Sequence, residues 1–201
     1  MAICLMLTVL AVFPSASQVY GAGTVRLGNS NVEQWTSVIG GDMVQAYTLI
    51  TVGKPTVIQS VSMFLQYSGS DGTQCMKFGI YMDNGAGSPA GQQLVAATQR
   101  EYCLHGTGTW GPAWQTWNLN PLDYLTINTP GDYWLCTLAK QTYGSIYHYA
   151  YAGAYDYTYG YASYYFPSPY ANGFPQFFAS DSTVGLGWEA NGPYSFYVTG
   201  T

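Results

Sequence analysis

A chain of 201 residues with a net charge of −5, 7% charged residues, 17% aromatics and 24 glycines is sized for one domain with a neutral, polar surface. Five Lys and Arg neutralise few phosphates, so nucleic-acid binding and anionic-membrane binding both lack their electrostatic term. Disorder is excluded too, because disordered chains join low hydrophobicity to high net charge and 48% of this chain is hydrophobic.

In chain order, residues 1–17 comprise an apolar run from Met1 to Phe13, ending at Pro14, and then Ser15, Ala16 and Ser17, the small residues a signal peptidase prefers. The segment reads as a secretory leader or a retained apolar tail. It is too short for a stable membrane span, which needs about 20 residues. Residues 18–42 read as an N-terminal extension, available as an exchanged strand. From residue 43 to 201 the apolar residues recur with period two rather than helical spacing, which predicts strands over 44–52, 57–67, 75–82, 93–103, 113–119, 131–139, 145–151 and 194–198. Turn signals such as Asp83-Asn84-Gly85 separate them. That many strands in one domain predict an all-β chain folded as a jelly-roll-like antiparallel β-sandwich, with a Tyr-rich insertion over 143–172.

Cys4, Cys75, Cys103 and Cys136 form no CxxC pair and have no His at ligand spacing, a pattern of an exported protein rather than a metal site. Cys75 and Cys103 flank the Gly-rich turn at 84–91, and a hairpin about that turn brings them opposite each other, predicting a Cys75–Cys103 disulfide. Cys136, inside an apolar strand, reads as a packed free thiol.

The blocks "AYTLITVGKPTVIQSVSMFLQYSG", "MKFGIYMDNGAGSPAGQQLVAAT", "WQTWNLNPLDYLTINTPGDYWLCTLA" and "WEANGPYSFYVTG" follow one another in that order. Together they resemble the secreted jelly-roll domains called choice-of-anchor domains. The resemblance implies export and surface attachment, and it carries no catalytic residues. The Tyr-rich segment departs from that pattern.

His105 and His148 are the only histidines, and no Gly-x-Ser-x-Gly or His-Glu-x-x-His pattern accompanies them. Asp42, Asp71, Asp83, Asp132 and Asp181 each neighbour Gly, Asn or Ser, and Asp123 lies two residues after Pro121, as turn-forming acids do. Asp83 and Asn84 offer oxygens to a calcium ion, yet no EF-hand spacing surrounds them. The expectation is a protein without catalytic residues, metal or cofactor.

The aromatics are the remaining signal. In extended chain Tyr147, Tyr149 and Tyr151 share a face, as do Tyr155, Tyr157, Tyr159 and Tyr161, with Ala and Gly between them. Such a row covers a sheet, packs against another subunit, or stacks on sugar rings. Trp110, Trp114 and Trp117 in "TWGPAWQTW" are a second set for stacking, with Gly111-Pro112 as a turn. The leading expectation is a non-enzymatic extracellular structural protein, a self-associating subunit of a surface fibre or pilus-like filament joined by donor-strand contacts. The alternative is a carbohydrate-binding module whose partners are glycans.

Overall fold

The computed structural model describes residues 19–20, 23–32, 35–39, 41–68, 72–106, 110–140, 145–150, 164–180, 185–186 and 194–201. Among these, helix is confined to two single 3-10 turns, Pro121–Asp123 and Tyr170–Asn172. The strands begin with β1 Val19–Tyr20, β2 Thr24–Gly28, β3 Trp35–Val38, β4 Met43–Val52, β5 Thr56–Ser68, β6 Gly72–Met82, β7 Leu94–Ala97 and β8 Tyr102–Gly106. They continue with β9 Trp110–Asn118, β10 Leu125–Ile127, β11 Gly131–Ala139, β12 Ser145–Ala150, β13 Tyr164–Pro167, β14 Gly185–Leu186 and β15 Phe196–Gly200.

Long strands with clean alternation fall where the sequence predicts them. The strand expected over 93–103 is instead two, β7 and β8, each paired to a different stretch of β6. The break has a physical cause: the buried Asp123 carboxylate accepts hydrogen bonds from the backbone N–H groups of Gln99 (2.8 Å) and Arg100 (3.4 Å), drawing them out of the ladder. The short strands β1, β2, β3, β10, β13 and β14 were not predicted. Residues 24–28 of the supposed extension form β2, which pairs with β15 of the same chain. Both ends of the supposed Tyr-rich insertion are likewise built in, since β12 pairs with β5 and β13 with β4.

All strand pairs are antiparallel and form two sheets. In one, β5 is central; β15 and β12 lie end to end along one edge, extended by β2 and β3, while β9 and β10 lie along the other. In the second, β4, β11 and β6 lie side by side, with β13 beyond β4 and β7 and β8 beyond β6. Of the principal strands, β2 pairs with β15, β4 with β11, β5 with β9 and β6 with β8. First pairs with last, second with next to last, and so inward, the successive pairs alternating between sheets. That is a jelly roll.

The core lies between the sheets, where Tyr47, Ile58, Val61, Met63, Leu65, Phe78, Trp117, Leu135 and Phe196 are buried together. A second apolar layer covers the outward face of the β4–β11–β6 sheet: Val44, Ala46, Tyr81, Trp134, Cys136 and Leu138 pack under Tyr170 and Phe178. The residues after β13 are stitched down as this cover. Ser168 N–H donates to the Asp42 carbonyl (2.8 Å), Phe178 N–H to the Gln92 carbonyl (2.9 Å), and Tyr81 Oη to the Pro175 carbonyl (2.6 Å). Gly79 is required beneath it, because a Cβ there would stand 2.8 Å from the Phe174 ring.

Cys75 and Cys103 are direct cross-strand partners and form the disulfide, while Cys136 is a buried free thiol in the second layer. Replacing both bridged cysteines with serine frees a loop spanning 28 residues and is expected to cost roughly 3–4 kcal/mol in urea unfolding. The Gly79→Ala variant should cost about 1–3 kcal/mol by forcing Phe174 aside. A wild-type-like midpoint for Gly79→Ala would mean the cover is not seated as described.

Candidate functional site

Three acidic side chains, Asp83, Asp123 and Asp42, hold turns of the fold. Asp83 follows β6, where the chain must reverse; its Oδ2 accepts from the N–H groups of Gly85 (2.7 Å) and Gly87 (3.3 Å), and its Oδ1 from Trp134 Nε1 (2.8 Å). Asn84 Oδ1 accepts from Ala86 N–H at 2.8 Å. The residues offered for calcium are thus bound into their own turn. Asp123, buried at the 3-10 turn before β10, also accepts from Tyr102 Oη (3.1 Å) and lies 3.6 Å from Arg100 Nε. Asp42 adopts the left-handed conformation (φ 53°), which Asp tolerates, and its Oδ1 accepts from Tyr170 N–H at 3.0 Å.

Among the described residues, Cys75, Glu101 and Cys103 are the one group of three metal-ligand types within reach of each other, and two of those ligands are joined as a disulfide. His105 lies in β8 and His148 in β12, strands of different sheets. No described helix is long and apolar enough to cross a membrane.

The aromatics divide by face. On β9, Trp117 points inward, is 8% exposed and sits 5.3 Å from the Phe78 ring, so it belongs to the core and not to a stacking surface. Trp114, on the opposite face, meets Phe64 of β5 directly across the ladder, ring centroids 5.5 Å apart. Tyr197 of β15 completes the row 4.9 Å from Trp114, and the Arg26 guanidinium of β2 lies 4.4 Å over the Tyr197 ring. Phe64, Trp114 and Tyr197 are all half-buried. Beside them the face carries hydroxyls: Ser62 bonds Thr116 (2.8 Å) and Ser60 bonds Thr199. Thr116 and Asn118 are exposed.

Of the predicted stacking residues, Trp114 is therefore in an aromatic cluster. Trp110 is the register partner of Tyr67; Tyr147 is that of Gln66 and Val38, and Tyr149 that of Thr36. Tyr151, Tyr155, Tyr157, Tyr159 and Tyr161 lie outside the described residues. Sequence reasoning missed Phe64 and Tyr197, although a signal existed. Phe64 interrupts Ser60, Ser62 and Gln66, an otherwise polar row that alternation sends outward.

No protein-family model, curated protein or solved structure matches the chain. The class is defined by the topology itself, an antiparallel jelly-roll β-sandwich with a covalent cross-strand bridge.

Burial governs the protonation of the interior phenols. Desolvation pushes Tyr47, Tyr81 and Tyr170 above the ordinary value of 10.0, Tyr170 with help from the charge of Glu101, and pushes the Cys136 thiol above 9.0. With folded values raised, the unfolded chain releases these protons first. Stability is accordingly retained below 9.0 to 10.0 and falls as pH climbs above that range. Urea midpoints measured at stepped alkaline pH should drop there, with the buried phenolates absorbing only as the chain unfolds. Ionisation of every tyrosine near 10.0 in a still-folded protein would contradict this burial.

Proposed function

We propose that this is a non-enzymatic extracellular structural protein, a self-associating subunit of a surface fibre joined by β-strand addition. One observation carries the reading. Strands β9 and β10 of one sheet and β7 and β8 of the other form edges on the same side of the sandwich, where β10 lies against β7, and none of the four contains Asp, Glu, Lys or Arg. Among the described residues, no further strand pairs with β8, β9 or β10, while the start of β7 is met by the cover, Leu94 N–H donating to the Gln176 carbonyl at 2.8 Å. On the opposite side β1 pairs with β2, and β13 with β4. Sheet edges are ordinarily protected by charges or cover, because bare backbone N–H and C=O groups recruit another strand.

An uncharged edge as long as β9, with Pro112 as its principal interruption, suits backbone pairing with a second copy. The apolar residues 1–13 are the candidate donor, since β2 is already engaged within its own sheet. A head-to-tail contact of this kind propagates into a filament. Export is supported by the disulfide and by the resemblance to choice-of-anchor domains. The non-enzymatic reading is supported by the engagement of Asp42, Asp83 and Asp123 in structural hydrogen bonds.

Electron microscopy of the purified full chain, with N-terminal sequencing, is expected to show filaments that retain residues 1–17. Removing those residues, or placing a charge on the edge with Asn118→Lys, should leave folded monomers by circular dichroism and light scattering. A full chain that stays monomeric at every concentration would sink the proposal; filaments that form without residues 1–17 would remove the N-terminal donor.

A further inference from the structure

We propose that the outward face of the β9–β5–β15 sheet is a binding platform for a neutral polysaccharide, with Trp114, Phe64 and Tyr197 as its stacking rings. These side chains come from three strands and gather at one spot, with ring centroids 5.5 and 4.9 Å apart. The rest of the described face is built differently, from the hydroxyl pairs Ser62–Thr116 and Ser60–Thr199. An outward sheet position needs no aromatic for folding, and the neighbouring serines on β5 serve there.

The chemistry of the patch and its border matches a sugar. The cluster of half-buried rings offers apolar surface to the C–H face of a pyranose, and the exposed Thr116 and Asn118 offer a hydroxyl and an amide for sugar hydroxyls. The Arg26 guanidinium over Tyr197 holds that ring in place. The Arg26 guanidinium, the one described charge at the rings, is already engaged with Tyr197, which leaves the patch no spare charge for an ionic ligand. Of the described acids, Asp42, Asp83 and Asp132 flank the strands of the other sheet, and Glu101 and Asp123 lie at the β7–β8–β10 corner; none borders the rings.

Area argues against a protein on this face. An aromatic side chain has about 150–250 Å² of surface, and with none of the three more than about a third exposed the rings offer roughly 250 Å² at most. A standard protein interface needs about 800 Å² from each partner. Strand addition uses the backbone edge of β9 and the platform uses its outward side chains, so the two contacts are distinct although β9 carries both.

Retention of the full chain on insoluble cellulose, chitin and mannan, and its mobility in gels containing soluble neutral or acidic polysaccharides, tests the proposal. At least one neutral glycan should retain the protein, and Trp114→Ala should weaken that retention roughly tenfold or more with the fold intact by circular dichroism. Tyr197→Ser, which removes a second ring from β15 and adds no charge to the β9 edge, covers the case in which Trp114→Ala fails to fold and should weaken retention equally. Filament formation should be unchanged in both. The proposal is overturned if no neutral glycan retains the chain, if only acidic polysaccharides do, or if folded Trp114→Ala and Tyr197→Ser both bind as the wild type does.

Discussion

Strand β11 has no solvent side. From Tyr133 to Ala139 every residue is buried, alternate side chains entering the inter-sheet core and the second apolar layer. A strand of this kind is stable only if both of its faces are roofed with apolar groups and its backbone is fully paired. One roof is the opposite sheet. The other is the segment after β13, which returns across β4, β11 and β6 and places Tyr170, Phe174 and Phe178 on them.

That constraint organises the polar groups. Asp42 ties the chain before β4 to the cover, Asp83 ties the β6 turn to Trp134 in β11, and Asp123 gathers the backbone between β7 and β8. A buried carboxylate is tolerated where several N–H groups converge on it, and removing such an acceptor strands the donors. These acids accordingly hold turns in place. The double roof also leaves the two sheets unlike each other. One is covered on both faces by apolar layers, so the half-buried rings of the other sheet and the exposed Thr116 and Asn118 beside them become surface open to contacts.

Much of this architecture was legible in the residues. Alternation located β4, β5, β6, β9, β11, β12 and β15 because their period-two pattern is long enough to outweigh turn signals. The short strands were not legible, since two to five residues carry too little pattern and owe their conformation to a neighbour already in place. The break between β7 and β8 was hidden for a similar reason: its cause, Asp123, is more than twenty residues away. Trp114 was legible as a candidate, whereas Phe64 and Tyr197 were recognisable only as partners once β5 lay between β9 and β15.

By itself the sequence determined the all-β class, the principal turns and the pairing of Cys75 with Cys103, because those follow from local periodicity, backbone preference and hairpin reach. It also determined that Trp114 and Trp117, three residues apart in one strand, face opposite ways. Which of them meets solvent was decided only by tertiary structure. Alternation fixes which residues share a face, but only the packing of a second sheet or a cover decides which face is buried, and that depends on contacts between segments far apart in the chain.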